Sequence, residues 1–162
     1  MCRVVLRRAA GFTYLAVLFA VAIMGAVLAA TAVVWHTMDQ RDKEQELLFI
    51  GHEFRSAIAS YHQRTPGGDG QFPKKLDELL EDKRQPALVR HLRKVYVDPF
   101  TGRAEWGLIP GPGWTIAGVH SLSDRTPIKS GNFAALDTGF AGAAMVSDWK
   151  FAYVPPSAAA AK

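Results

Sequence analysis

The sequence predicts an α+β fold, in which a long N-terminal helix packs against a small domain with a short antiparallel sheet. Three observations predict it. Residues 9–38 contain no Asp, Glu, Lys or Arg. Apolar residues then recur at helical spacing from Leu47 to Tyr61. Beyond residue 95, Pro and Gly separate short runs that are rich in aromatic and β-branched residues, which favours strands.

The apolar run is long enough to cross a membrane. Residues 12–35 would span roughly 36 Å as a helix, more than the roughly 30 Å of a bilayer core. The apolar part of a secretory signal is shorter, about 7–15 residues, and ends at small residues. Ala29-Ala30-Thr31-Ala32 is similar to such a cleavage site, but the apolar run continues to Trp35. We therefore predict a retained transmembrane helix over residues 12–35.

The net charge of +4 comes mainly from the first eight residues, which contain Arg3, Arg7 and Arg8. Beyond residue 11 the chain has 16 basic and 15 acidic residues. Basic residues beside a membrane helix favour the cytoplasmic side. We therefore expect the rest of the chain on the opposite side and no nucleic-acid partner. Cys2 is the only cysteine, so an intramolecular disulfide is excluded.

An amphipathic helix is predicted over residues 36–64, because Leu47, Ile50, Phe54, Ile58 and Tyr61 share one face. The Pro- and Gly-rich residues 65–70 end it. A domain follows over residues 65–154, and a flexible tail over residues 155–162.

Within this domain the patterns predict helices first and strands later. We expect a helix over residues 73–84 and a helical turn over residues 87–94. Strands are expected at residues 105–109, 114–120 and 149–154, with an irregular segment at 121–147. Trp106, Trp114 and Trp149 are predicted to lie in the sheet and core.

The N-terminal motif resembles that of the type IV pilin-like family, and most closely that of a type II secretion system pseudopilin. The resemblance is carried by a short basic leader, a long apolar helix and the motif Gly11-Phe12-Thr13-Tyr14-Leu15. It continues more loosely through residues 71–79 and through Asp98-Pro99-Phe100-Thr101-Gly102. The resemblance implies a pilin-like fold, with residues 1–11 as a prepilin leader. It also implies that a prepilin peptidase cuts between Gly11 and Phe12 and that Phe12 is then methylated.

Ala16 departs from the family pattern, because the fifth mature position usually holds glutamate. The resemblance implies that in pilins this carboxylate pairs with the amino terminus of a neighbouring subunit. The pairing offsets the free-energy cost of placing a carboxylate in lipid. Ala16 cannot make this pair. The departure suggests a minor or tip subunit, or a divergent system.

The resemblance implies a non-enzymatic subunit of a type II secretion filament, which assembles from the bacterial inner membrane and helps drive protein export through the outer membrane. The C-terminal domain would be periplasmic. The implied partners are other pseudopilins or pilin-like subunits, the prepilin peptidase and an inner-membrane assembly platform. Two alternatives remain open: a minor type IV pilin or DNA-uptake pilin, and a single-pass membrane protein with a periplasmic binding domain.

Other motifs give no prediction of catalysis or of a cofactor. His52-Glu53 begins a zinc-protease pattern, but position 56 is Ser where the second histidine is required. The family's major subunits bind calcium in a late loop, and oxygen ligands are available there from Ser121, Asp124, Asn132, Asp137 and Asp148. Their spacing shows no clear ligand cluster, so we interpret them as loop and turn residues, with calcium binding as the alternative. A basic cluster is interpreted as a solvated face, with contact to an acidic neighbour as the alternative; its members are Arg84, Arg90, His91, Arg93 and Lys94.

Overall fold

The structure is a computed structural model that describes residues 10–85 and 87–156. The chain divides into two compact units, Met1–Gln40 and Arg41–Lys162. The first nine residues of the predicted leader lie outside the described residues, and so do residues 157–162 of the predicted tail. The processing that the leader implies stays a prediction.

The first helix, α1, comprises Ala10–Gln63 and so contains residues of both units. In the first unit it is apolar and exposed: every residue of Phe12–Ala29 is solvent-accessible. In the second unit its apolar face is buried. Leu47, Ile50, Phe54, Ile58 and Tyr61 are each no more than 5% exposed. The predicted helical face is therefore confirmed, and it forms the centre of the core of the second unit.

The second helix is much shorter than predicted. Instead of residues 73–84, α2 comprises only Asp77–Leu80. The next helical hydrogen bond would run from the Asp82 N–H to the Glu78 carbonyl, but this N–H donates instead to the Val89 carbonyl at 2.9 Å. The Leu79 carbonyl likewise accepts from the backbone N–H groups of His91 and Leu92, at 2.9 and 2.8 Å. A long-range backbone contact has replaced the local one.

The helical turn predicted at residues 87–94 is also wrong. Val89 forms an isolated antiparallel bridge with Asp82, whose N–H donates to the Val89 carbonyl at 2.9 Å. Leu92 is buried, whereas Leu88 is 59% exposed. The backbone here pairs across the chain with the residues around α2.

Three strands form one antiparallel sheet in the order β1-β2-β3, so the predicted α+β class with a short antiparallel sheet is confirmed. The strands are β1, Gly107–Gly111; β2, Thr115–His120; and β3, Phe151–Ala152. β1 extends through Pro110, which lies beyond the strand predicted at residues 105–109. The register shifts between Ile109 and Pro110, and proline is tolerated at such an irregularity of an edge strand.

Aromatic side chains link α1, the residues just before β1 and β3, and the segment between β2 and β3. The Phe54 and Trp106 rings meet edge-on with centroids 5.1 Å apart, and Phe140 stacks on Trp149 at 5.9 Å. Trp106 and Trp149 are buried as predicted, but Trp114 is 99% exposed, so its predicted place in the core is wrong. The segment predicted as irregular contains two 3₁₀ helices, Ala135–Phe140 and Val146–Asp148.

Candidate functional site

Over residues 12–29 the first unit presents an exposed apolar surface. Phe12–Ala29 is long and apolar enough to cross a membrane, with a mean hydropathy of 2.4. Large side chains along it are exposed, including Phe12 at 78% and Phe19 at 62%. The Thr31 hydroxyl donates to the Val27 carbonyl at 2.8 Å, so this polar group is satisfied within the helix. Such a surface suits lipid or another apolar helix rather than water.

The predicted site residues lie at the start of this surface. Gly11 belongs to α1, and Phe12 and Ala16 are exposed members of the same helix. Because position 16 is alanine and residues 12–29 carry no ionisable acid or base except Tyr14, no carboxylate is available there for an amino terminus. Gly25 has open space around it, and Ala22 and Ala29 are also exposed. These small residues would allow another helix to approach closely.

Comparisons of the chain with protein-family models, with curated proteins and with solved structures each find no match.

The second unit contains a buried ionic cluster that includes two residues of the predicted solvated basic face. Asp82 is 1% exposed and accepts from Arg84 Nη2 at 2.7 Å and from Arg84 Nε at 2.9 Å. The buried His91 ring lies between two side chains, with Nδ1 2.9 Å from Ser60 Oγ and Nε2 3.2 Å from Asp82 Oδ2. Two of the five basic residues are therefore structural. Arg84 and His91 hold the α2 region against the end of α1.

The ionisation of this cluster follows from its contacts. The hydrogen bonds from Arg84 hold the pKa of Asp82 well below its usual range, and the same contact raises the pKa of Arg84. Burial raises the pKa of Tyr61 to about 12, and so does the hydrogen bond that its hydroxyl donates to Glu78 at 3.0 Å. The cluster is therefore an ion pair beside a neutral phenol at physiological pH, which is a stabilising arrangement.

A second buried carboxylate attaches a 3₁₀ helix to α1. Asp137, which is 1% exposed, accepts from Arg55 Nη1 at 2.8 Å and lies 2.5 Å from His52 Nε2. His52 was considered above only as part of an incomplete zinc motif. Its contact is with a carboxylate that lies 85 residues later in the chain. No short-range spacing signals this pair.

A third buried carboxylate, Glu44, lies near the start of the second unit. It is 1% exposed, and its two oxygens accept the backbone N–H groups of Ile128 and Lys129 at 2.6 and 3.0 Å. Glu44 lies in a charged stretch of the sequence, residues 39–46. Glu44 lies three residues before Leu47, so the helical spacing places it on the apolar face of α1. This spacing is the sequence signal that predicts its burial.

The five residues considered as oxygen ligands are not brought together. Ser121 donates to the buried Asp98 at 2.7 Å, and Asp137 binds Arg55. Asp148 accepts the Met145 N–H at 3.0 Å, while Asp124 and Asn132 are exposed. Within residues 10–85 and 87–156, no group of three His, Cys, Asp or Glu side chains is placed to hold a metal ion. Asp137 attaches its 3₁₀ helix to α1, whereas Asp98 holds Ser121 after β2.

Proposed function

We propose that this chain is a pseudopilin-like subunit of a type II secretion filament, anchored in the bacterial inner membrane with its C-terminal domain in the periplasm. The observation that carries the proposal is the composition of α1. Its first part, Phe12–Ala29, is apolar and exposed, and its later part is the core helix of an α+β unit. A pilin-like subunit requires this combination, because its helix must be stable first in lipid and then among neighbouring helices.

The mechanism is assembly rather than catalysis. In the membrane, the exposed apolar side chains are solvated by lipid tails. On assembly, the same side chains would pack against helices of other subunits, with close approach at small residues such as Gly25. Other pseudopilins, the prepilin peptidase and an inner-membrane assembly platform are the proposed partners. The resemblance of the motif at Gly11 and Phe12 supports this assignment.

Ala16 favours a minor or tip position for the subunit. A subunit without the carboxylate at this position cannot neutralise the amino terminus of a neighbour, so it suits a place where that pairing is not needed. A minor type IV pilin or DNA-uptake pilin would have the same N-terminal features and is the second candidate. Restoring the acid with Ala16→Glu tests the role of the position, and unchanged incorporation and secretion would show that it does not set the subunit's role.

A complementation experiment tests the proposed function. We expect deletion of the gene to abolish or reduce exoprotein secretion, and the wild-type chain to restore it. The variant Gly11→Val should fail to restore it because the proposed cleavage is blocked, whereas the neighbouring substitution Ala10→Val should succeed. Loss of twitching or transformation with normal secretion would favour the second candidate. Normal secretion, twitching and transformation in the deletion strain would contradict both.

A further inference from the structure

An acidic face runs along one side of α1 in the second unit. Asp42, Glu46, Phe49 and Glu53 recur at spacings of four, three and four residues, so they lie on the same side of the helix. Asp42 and Glu46 are exposed, Phe49 is 59% exposed, and Glu53 is partly buried. Within residues 10–85 and 87–156 the three carboxylates form no ion pair. The acidic face therefore offers three negative charges and one aromatic ring to a partner.

A basic face lies on the segment that follows α2. Residues 87–97 include no Asp or Glu. Arg90, Arg93 and Lys94 are exposed there. In the part of the chain that the structure describes, neither guanidinium forms an ion pair. Contact with an acidic neighbour is the alternative interpretation given above for this cluster, and these three side chains are placed to make it.

The two faces match in charge, in apolar content and in length. Three exposed cations can oppose three carboxylates, and Leu88 and Val97, which are 59% and 52% exposed, offer apolar contacts to Phe49. From its first to its last residue the acidic face extends about 17 Å, at about 1.5 Å per residue. Residues 90–94 reach up to about 13 Å when extended. Opposite charges distributed over matching lengths favour one orientation of contact and disfavour others.

We propose that the basic face of one copy of this chain binds the acidic face of a second copy. Each copy carries one face of each kind, so the partner that matches in charge and length is already present wherever two copies meet. Beyond residue 11 the chain has 16 basic and 15 acidic residues. Two copies therefore approach with little net repulsion, and the local complementarity of the faces decides the contact.

The two faces lie at different levels of α1, and this determines how the copies are arranged. His91 Nδ1 is 2.9 Å from Ser60 Oγ, which places the basic face beside Ser60. The middle of the acidic face lies about 12 residues earlier in the helix, or roughly 18 Å. In parallel copies the contact therefore requires an offset of about this distance. Such a contact is head-to-tail and leaves one face of each kind open in every pair, so copies can add in series.

The test is photo-crosslinking of the full, uncleaved chain in detergent micelles. Light copies carry a benzophenone amino acid in place of Phe49, which keeps an aromatic side chain there, and copies labelled with heavy nitrogen keep the natural sequence. We expect a cross-link from light copies to heavy tryptic peptides within residues 85–103. Arg93→Glu in the heavy copies should lower its yield about tenfold, because it sets a carboxylate against the acidic face. Arg125→Glu, also at an exposed arginine, is the matched control and should leave the yield unchanged.

Exchange of charges separates the contact from folding. Glu46→Arg in the light copies should also lower the yield about tenfold. Light copies with Glu46→Arg and heavy copies with Arg93→Glu should together restore it, because opposite charges meet again. Damage to the fold of one copy would not be repaired by a change in the other. Salt at about 1 M, where the screening length is roughly 3 Å, should lower the wild-type yield severalfold.

Four results would overturn the inference: no cross-link between copies, a cross-link to a peptide outside residues 85–103, yields that both reversals leave unchanged, and losses that the combined reversals do not restore. The inference concerns only the second unit. It requires neither cleavage at Gly11 nor secretion, so its test can fail while the proposed function holds, and the reverse.

Discussion

Arg84 stacks on the ring of Tyr61, with its guanidinium carbon 3.4 Å from the ring centroid. The same guanidinium donates to the Tyr61 backbone carbonyl at 2.9 Å and to Asp82 at 2.7 Å. One side chain thus satisfies a carbonyl near the end of α1, neutralises a buried carboxylate and covers an aromatic face. Arg84 therefore connects α1 to the segment that follows α2.

Removing this connection should destabilise the second unit substantially. Arg84→Ala leaves the carboxylate of Asp82 buried without its main partner, and breaking a buried pair in this way costs about 3 kcal/mol. Urea unfolding of the full chain in detergent micelles, followed by fluorescence of the buried Trp106 and Trp149, measures the loss. The matched control is Lys83→Ala. The Lys83 side chain is 79% exposed, and its ion pair with Glu81 is long, at 3.9 Å, so it should contribute little. This change should stay within about 0.5 kcal/mol. Equal effects for the two variants would contradict the structural role of Arg84.

The pair of Arg84 and Asp82 also makes the free energy of unfolding depend on pH in the acid range. The folded pKa of Asp82 lies below the value of about 3.9 expected in the unfolded chain. The stabilisation is therefore fully present above about pH 4 and is lost as the pH falls through the folded pKa. Asp82→Asn should remove this component, so the free energy of unfolding should fall less steeply below pH 4 than in wild type. Urea unfolding at a series of pH values measures both slopes, and identical slopes would show that Asp82 does not contribute.

The carboxylate of Glu44 accepts the backbone N–H groups of Ile128 and Lys129. Removing one of its two acceptor oxygens should weaken this contact. Glu44→Gln keeps the size of the side chain but presents an amide group to one of the two backbone N–H donors. We expect a loss of about 1–3 kcal/mol. Hydrogen exchange should also be faster at Ile128 and Lys129. The nearby Glu46 is exposed, and Glu46→Gln is the matched control. Unchanged hydrogen exchange at Ile128 and Lys129 in Glu44→Gln would show that Glu44 does not hold this loop to α1.

Close packing of α1 against β3 should make Gly51 intolerant of a side chain. A Cβ added at Gly51 overlaps the Phe151 ring, and Phe151 is fully buried. Gly51→Ala should therefore destabilise the unit by about 1–3 kcal/mol, although alanine favours the helix. Gly131→Ala is the control, since that position has open space. Thermal unfolding of the two variants compares them, and a Gly51 variant as stable as wild type would show that the packing is looser.

The sequence predicted those elements that depend on local periodicity. The apolar run, the face of α1 from Leu47 to Tyr61 and the presence of three strands were all predicted from local patterns of apolar residues. Trp106 and Trp149 were predicted in the core because they lie in or beside apolar strand patterns. These predictions agree with the structure because each depends only on whether neighbouring residues of one segment are buried on the same face.

The elements that differ depend on partners distant in the sequence. α2 is short because the Leu79 carbonyl bonds to His91 and Leu92. Trp114 is exposed because the turn between β1 and β2 places it outside the sheet, with positive φ. The pair of His52 and Asp137 joins residues that no local pattern relates. The periodicity of apolar residues does not show which polar groups, distant in the sequence, form hydrogen bonds or ion pairs with one another.

The most direct test of the central claim is the intact mass and N-terminal peptide of the membrane-extracted chain, expressed with and without a prepilin peptidase. A pilin-like subunit predicts a mature chain that begins at methylated Phe12 only when the peptidase is present. A chain that still begins at Met1 in the presence of the peptidase, or one cut near Ala32, would contradict the proposed function.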